Sequence, residues 1–244
     1  MSVAAVTYDF LRPGRAAAKG GATARVHAAL RKAIISLDLK PGEFLDKQAI
    51  ATRLGVSRFP VGEAMNRLDA EGLVDIVPQS GSRVALIRIS DARENMFLRR
   101  AIETEAIRTL TKTLSGDRID EMKQNLRYQA AAVESGDRNG FHRFDLQFHA
   151  IVLDALGFER VKMAAETARL GLERVRRMLS SRRRQEVTLD EHRAIVEALQ
   201  RRDANAAVKA MQAHLDAVLT ELEAFARQRP ELFADLNSSG LSEP

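Results

Sequence analysis

Residues 54–74 read LGVSRFPVGEAMNRLDAEGLV, and this stretch decides the fold of the first third of the chain. Gly55 can end the preceding helix, because glycine tolerates the left-handed conformation of a helix stop. Ser57 can cap the next helix, and Pro60 then falls in its first turn, where a backbone N–H is not needed. The stretch therefore predicts a turn followed by a short helix.

The predicted helix has two chemically different faces. Apolar residues recur at i, i+3, i+4 and i+7 and form one face: Val61, Ala64, Met65 and Leu68. The opposite face carries donors and small residues that suit base edges and phosphates: Arg58, Phe59, Gly62, Asn66 and Arg67. Because a turn and an amphipathic helix also occur in domains that bind no DNA, this stretch alone leaves both interpretations open.

The composition is that of a folded, two-domain protein outside the membrane. The chain has 244 residues, 45% hydrophobic and 29% charged, without cysteine. The lack of cysteine excludes disulfides and thiolate metal sites and fits a reducing cytoplasm. The net charge of +5 permits an acidic partner such as DNA without demanding one. No apolar run approaches the roughly 18 residues of a membrane span, and the N-terminus lacks a signal-peptide core, so we expect a cytoplasmic protein.

The residues around the opening stretch predict a winged helix-turn-helix over residues 22–90. Residues 22–37 have the periodicity of a helix, and LKPGEFL at 39–45 indicates a turn. Asp46 can cap a second short helix, and residues 54–74 supply the third. Two short strand-like runs, LVDIV and SRVALI, flank PQSG and predict a hairpin. Residues 1–21, with several glycines and a proline, are expected to be a flexible arm.

The stretch LKPGEFLDKQAIATRLGVSRFPVGEAMNRLDAEGLVDIVPQSGSRVA resembles the DNA-binding domain of the GntR family of bacterial transcription regulators. The resemblance implies a double-stranded DNA operator, contacted by Arg58 after the capping serine and by the wing-tip Gly81. Phe59 and Gly62 depart from the family, which usually has Thr and Arg there, so we expect an altered operator or weaker binding. The residues assigned to DNA binding are Ser57, Arg58, Phe59, Gly62, Asn66, Arg67 and Gly81.

Residues 91–227 look entirely helical, and residues 228–244 look like a frayed tail. Turn-forming stretches such as SGD at 115–117 and at 135–137 divide the region into about six helices. Amphipathic helices joined by short loops predict an antiparallel bundle. The basic run RVRRMLSSRRR at 174–184 is interpreted as a solvated helix end, with a DNA or interdomain contact as the alternative.

Four of the five histidines lie in this helical region. Asp145 and His149 are four residues apart and share a helix face. His192 and His214 are equally distant from the turn near residue 203, so two antiparallel helices would bring them to one level. Three imidazoles and a carboxylate suit a divalent transition metal such as Zn, Ni, Mn, Co or Fe. Taken alone, each histidine would more often be a packed core residue, and only the joint geometry of the four residues favours a metal site. His142 is interpreted as a surface or supporting residue.

The pieces LRRAIETEA, FDLQFHAIV, EHRAIVEAL and MQAHL are similar to the FCD effector domain of the FadR-like branch of GntR regulators. In metal-binding members, the matching positions hold the metal: Asp145, His149, His192 and His214. The count of about six helices resembles the VanR-like subgroup. The resemblance implies a small carboxylate effector, and Arg99 matches an arginine that faces the cavity. A salt bridge from Arg99 to Glu103, one turn away, is an equally good interpretation.

The sequence therefore predicts a mainly α-helical, ligand-responsive transcription regulator rather than an enzyme, working as a homodimer on two half-sites. A repressor relieved by a small organic acid is the favoured form. The alternatives are a regulator for which the metal ion is itself the signal and, less favoured, a metal-dependent hydrolase fused to a DNA-binding domain. No HEXXH-like signature supports the hydrolase.

The DNA-binding assignment can be tested at Arg58. We expect Arg58→Ala to lower operator affinity by about 1–3 kcal/mol, because a base or phosphate contact is removed. A titration of operator DNA at fixed salt measures the change. Unchanged affinity would contradict the assignment.

Overall fold

A computed structural model of the chain describes residues 8–12 and 21–236. The described residues form two compact units. The first contains the residues up to Arg88 together with those from Arg229 onward, and the second is Ile89–Gln228. None of the helices within the described ranges has the length and apolar character that a membrane span requires.

The first unit is a winged helix-turn-helix, as the sequence predicts. Its elements in chain order are α1 (Ala22–Ile35), β1 (Phe44–Leu45), α2 (Lys47–Leu54), α3 (Arg58–Ala70), β2 (Val74–Val77) and β3 (Gly81–Val84). The three strands form an antiparallel sheet in the order β1-β3-β2. Strand β1 lies in a segment that was expected to be a turn. It forms because Phe44 pairs with Arg83, a partner too distant along the chain for a local pattern to indicate.

The helix-turn-helix has the predicted stops and faces, with one difference. The Asp46 carboxylate caps α2 by accepting from Gln48 N at 2.8 Å and Ala49 N at 3.0 Å, and Gly55 ends α2 with a φ of 65°. The apolar face of α3 is fully buried: Val61, Ala64, Met65 and Leu68. Ser57 takes the N-cap position of α3, but within the described part of the chain its hydroxyl makes no capping bond. That exposed hydroxyl stays available at the start of α3.

Residues 8–12 of the expected flexible arm pack against the first unit. Tyr8 and Leu11 are buried, and the Tyr8 hydroxyl accepts a hydrogen bond from Asp46 N at 2.9 Å. The Arg53 guanidinium donates to the carbonyls of Tyr8, Asp9 and Leu11 at 2.8–3.1 Å. These five residues therefore differ from the prediction of a loose arm. The rest of the predicted arm, residues 1–7 and 13–20, lies outside the described residues.

The second unit is a helical bundle. Residues 89–228, all of which are described, form seven helices: α4 (Ile89–Thr113), α5 (Gly116–Ser135), α6 (Arg138–Leu156), α7 (Glu159–Gly171), α8 (Glu173–Leu179), α9 (Arg182–Gln200) and α10 (Ala204–Gln228). Helix α10 packs on α4 and α9, and α5 packs on α6 and α9. The count exceeds the expected six because α7 and α8 meet at an additional break. There Gly171 lies so close to Asn95 that a Cβ would stand 2.5 Å from the amide nitrogen.

The predicted tail begins with an ordered segment that belongs to the first unit. After α10, residues Pro230–Leu232 form a short 3₁₀ helix, and Phe233 is buried. Ile87 donates through its backbone N–H to Leu232 O at 2.9 Å and accepts from Ala234 N at 2.9 Å. The C-terminal segment therefore pairs with Ile87, just before the start of α4. Residues 237–244 lie outside the described part of the chain.

Candidate metal centre

The four predicted metal-ligating residues meet inside the bundle. Asp145 and His149 lie one turn apart on α6, while His192 and His214 come from α9 and α10. All four are buried, and one ligand atom from each lies within 4.8 Å of the others. The α9–α10 hairpin, which turns at Arg201–Asp203, places His192 and His214 at one level.

The ring nitrogens are spaced as ligands of a common ion. His149 Nε2 lies 3.3 Å from His214 Nε2, and His192 Nε2 lies 3.8 Å from Asp145 Oδ1. Metal–nitrogen bonds of about 2.1 Å at tetrahedral or octahedral angles give nitrogen–nitrogen separations of roughly 3.0–3.4 Å. The aromatic ring of Phe148 stacks on His192 at a centroid distance of 3.9 Å and covers one side of the cluster.

Each histidine is oriented by an acceptor at its outer nitrogen. His192 Nδ1 is 2.9 Å from Gln129 Oε1 on α5, and His214 Nδ1 is 2.7 Å from Glu191 Oε2 on α9. His149 Nδ1 faces Glu103 Oε2 on α4 at 2.6 Å. An acceptor at Nδ1 favours the tautomer with the proton there, which directs the Nε2 lone pair inward. Five different helices thus supply the ligands and their supports.

The electrostatics keep the ligands in their metal-binding protonation states. Burial, followed by the charges of neighbouring histidines, holds the pKa of both His192 and His214 well below the usual value, so both imidazoles are neutral at pH 7. Burial raises the pKa of Asp145, but the positive charges of Arg176 and the histidines together lower it by more. The pKa of this carboxyl therefore lies well below its usual range. The Asp145 carboxylate therefore lies beside the neutral imidazoles of His192 and His214.

The unpartnered atoms of the cluster fit a metal ion. Among the described residues, Asp145 Oδ1 and His192 Nε2 are buried without a hydrogen-bond partner. An unpaired buried polar atom costs about 1–3 kcal/mol, and an ion bound between these atoms would remove that cost. The nitrogen and oxygen donors suit a divalent transition metal.

Arg99 takes part in the predicted salt bridge and also keeps a free edge. Its side chain is 1% exposed, and its Nε donates to Glu103 Oε1 at 2.7 Å. Burial raises the pKa of Glu103, but Arg99 and His149 together lower it by more than burial raises it. The Glu103 carboxyl is therefore ionised. Within the described ranges, Arg99 Nη2 is buried and has no hydrogen-bond partner. The Arg99 guanidinium therefore holds Glu103, which contacts the outer nitrogen of His149, and keeps its own Nη2 as an available donor.

The interpretation of residues 174–184 as a solvated helix end fits Arg182 and Arg183, which are exposed, but is wrong for Arg174 and Arg176. Arg176 is 12% exposed and donates from Nη2 to Asp145 Oδ2. Arg177 pairs with Glu173 at 2.8 Å, and Arg184 pairs with Glu191 at 2.8 Å. Arg176 is thus a site residue that the sequence analysis missed. Six arginines within eleven residues look alike in sequence, and no local signal shows that this one reaches α6.

His142 supports the site from outside the four-residue cluster. Its Nε2 lies 2.6 Å from Glu173 Oε1, at the start of α8. Two acceptor–donor pairs, His142–Glu173 and Asp145–Arg176, therefore join α6 to α8. This agrees with its interpretation as a supporting residue.

The residues assigned to DNA binding lie on the first unit. Arg58, Phe59, Asn66 and Arg67 are exposed on α3, and the Phe59 side chain is 76% exposed. Gly62 is half-buried on the same helix. Gly81 has a φ of +89° and begins β3 at the hairpin end, where a Cβ would stand 2.6 Å from the ring of Phe44.

Comparison with known proteins connects the two units to known families. Residues 22–84 match the family described as bacterial regulatory proteins, gntR family, and residues 94–217 match the FCD domain. Together these matches confirm the resemblances found in the sequence.

Individual relatives match most of the chain. The HTH-type transcriptional repressor RspR of Escherichia coli strain K12 is 29% identical over 212 residues, which cover 86% of this chain and 93% of that protein. An HTH-type transcriptional regulator from an unstable DNA locus of Streptomyces ambofaciens is 32% identical over 210 residues, covering 86% and 88%. The solved structure of E. coli McbR/YncC has the same fold, with a TM-score of 0.64 at 18% identity over 84% of this chain and 99% of that chain.

The family and the names of these relatives describe regulators of transcription rather than enzymes. The winged helix-turn-helix and the helical bundle coincide with the two matched segments. The chain belongs to the GntR family of DNA-binding transcriptional regulators and carries an FCD domain as its second unit.

Proposed function

We propose that this regulator is a repressor controlled by a small carboxylate that binds at a divalent metal in the bundle. The observation that carries the proposal is the buried cluster of Asp145, His149, His192 and His214, with its ligand atoms within 4.8 Å of one another. The name of the relative RspR supports the repressing form. An ion held by these four residues would supply a Lewis-acidic centre for an oxygen of the ligand.

On the DNA side, α3 is the reading helix and the hairpin is the wing. Arg58 stands at the first position of α3, where a guanidinium can bind a base edge or a phosphate. Phe59 next to it suits a thymine methyl group, and the half-buried Gly62 leaves no cation at the position where the family usually has one. Ser57, Asn66 and Arg67 add polar contacts, and Gly81 lets the wing tip approach the minor groove.

On the ligand side, the chain's own groups bind and orient the acid. Arg99 Nη2 is a buried donor held in place by the bond from Nε to Glu103, so it can receive a carboxylate oxygen. Glu103 at the same time orients His149. The bundle interior excludes water, which strengthens these interactions.

The working unit is proposed to be a homodimer. Four large apolar side chains are exposed on α4 and α7, which pack against each other: Phe97, Leu98, Met163 and Leu170. Met163 and Leu170 are seven residues apart and share one face of α7. A second copy would cover this surface and place two reading helices on two half-sites. Ligand binding would then change the spacing of the two reading units, with a coupling of about 1–3 kcal/mol.

A pure metal sensor is the second candidate. Its support is that four protein side chains already surround the proposed ion, so the ion alone could order the bundle. A stoichiometric metal that survives dialysis favours the ligand-holding role. A weak, reversible metal that changes DNA affinity by itself favours sensing.

Metal content tests the centre directly. We expect about one divalent ion per chain in the purified protein, and its loss in the double variant His192→Ala, His214→Ala, because two of the nitrogen ligands are removed. Elemental analysis after dialysis measures it. The control is His27→Ala, which changes a histidine paired with Glu71 in the other unit and should keep the ion. Retention of metal by the double variant would contradict the assignment.

The support of His192 makes a second prediction. Gln129→Ala removes the acceptor at His192 Nδ1, and we expect metal affinity to fall about 10–100-fold, because the ring is no longer held in its ligating orientation. Competition with a chelator of known affinity measures the change. Gln124→Ala, on the exposed side of the same helix, is the control and should leave metal affinity unchanged. An unaltered affinity in Gln129→Ala would show that Gln129 does not orient the ligand.

The regulatory step is tested on DNA. With metal bound, we expect a cognate small acid to weaken operator binding about 5–150-fold, because it shifts the dimer away from the DNA-binding arrangement. Fluorescence anisotropy at fixed salt, with and without a panel of acids, measures the effect. The metal-free double variant is the control and should not respond. Equal operator affinity in the presence of every acid would argue against ligand control.

A further inference from the structure

Three guanidinium groups converge on the cluster from three helices. Arg99 comes from α4, Arg169 from α7 and Arg176 from α8. Burial lowers the pKa of Arg169, and the charges of Arg99 and Arg176 lower it further, which shows that the three groups act on one another. The carboxylates that pair with Arg99 and Arg176 are Glu103 and Asp145.

Two of these arginines hold buried N–H groups without a partner. Arg99 Nη2 and Arg176 Nη1 are both buried, and neither has a hydrogen-bond acceptor anywhere in residues 8–12 and 21–236. Leaving a charged donor unpaired in the interior is costly, so each atom calls for an anionic acceptor. Another nitrogen of each guanidinium is already bonded: Arg99 Nε donates to Glu103, and Arg176 Nη2 donates to Asp145. The free edges are thus fixed in position rather than able to turn to other partners.

We propose that Arg99 and Arg176 each bind one carboxylate of the same ligand, so that the effector is a short-chain dicarboxylate. This inference rests on the proposed function, in which the ligand lies at the metal. It assigns Arg176, a residue of the basic run, as a specificity-determining residue that distinguishes two carboxylates from one.

The two arginines reach the cluster at different points. Arg176 is bound to Asp145, and Arg99 is bound through Glu103 to the outer side of His149. Asp145 and His149 are four residues apart on α6. The two arginines therefore attach to the cluster at different ligands and from different helices. A short chain with an anionic group at each end offers one acceptor to the unpartnered donor of each arginine.

Calorimetric titration of the metal-loaded protein tests the inference. The ligands are the dicarboxylates malonate, succinate and glutarate. Each is compared with the monocarboxylate of the same chain length, which is propionate, butyrate or valerate respectively. We expect the best dicarboxylate to bind about 10–100-fold more tightly than its matched monocarboxylate, because a second charge-assisted hydrogen bond is formed. Metal content is measured on every sample.

Variants then assign the gain to the two arginines. Arg176→Gln should reduce the ratio of dicarboxylate to monocarboxylate affinity to near one, while metal content and monocarboxylate affinity report that the protein is folded. Arg99→Gln should reduce the same ratio independently, which keeps the test valid if one variant loses its metal. Arg193→Gln is the matched control, because Arg193 is exposed on α9 and pairs with Asp190.

The outcomes separate the inference from the function on which it rests. If monocarboxylates bind as tightly as dicarboxylates, the ligand site stands and the two-carboxylate inference is overturned. If dicarboxylates bind more tightly but Arg176→Gln and Arg99→Gln keep the full ratio, the assignment to these arginines is overturned. If metal is bound and no acid of either series binds, the proposed function fails and this inference fails with it.

Discussion

The bundle depends on the burial of several ionisable side chains at one point between its helices. Asp145, His149, His192 and His214 are all buried, and each would be destabilising alone in an apolar interior. Acceptors beside the outer nitrogens of the three histidines and the ion pair between Asp145 and Arg176 offset part of that cost, while Asp145 Oδ1 and His192 Nε2 stay unpaired in the described structure. The outer acceptors on α4, α5 and α9 determine which ring nitrogens face inward, so the chemistry of the centre is set by residues that do not belong to it.

This arrangement also ties the helices together through the cluster. Glu103 of α4 contacts both Arg99 and His149, and Asp145 of α6 holds Arg176 of α8. A metal or an anion entering between these groups would change the balance of attraction among α4, α6 and α8. Because packed interiors respond by shifting whole elements rather than by deforming smoothly, such a change would move these helices relative to one another.

The DNA-binding unit is small, and parts of the chain distant in sequence complete it. Residues 8–12 cover α2, where Tyr8 bonds the backbone of Asp46 and Arg53 binds three carbonyls. The segment after α10 returns to pair with Ile87. Small units bury a limited fraction of their surface, so such additions contribute usefully to their stability. The chain passes from this unit into the bundle after Arg88 and returns before Arg229. The two segments of the first unit at these points are hydrogen-bonded to each other through Ile87.

The sequence by itself determined the helices, the hairpin and the four residues of the candidate metal cluster, because these depend on short-range rules. Glycine at Gly55, the cap at Asp46, the four-residue spacing of Asp145 and His149, and the hairpin symmetry of His192 and His214 can all be read within a few turns of chain. Tertiary structure alone decided strand β1, the position of residues 8–12, and the partners Gln129, Glu191 and Arg176. Each of these depends on an interaction between residues that are far apart along the chain or on different helices. A charged residue whose partner lies on another helix has the same local sequence pattern as a charged residue in solvent. For that reason the arginine run at 174–184 looked like a solvated surface, although Arg176 reaches the centre of the bundle.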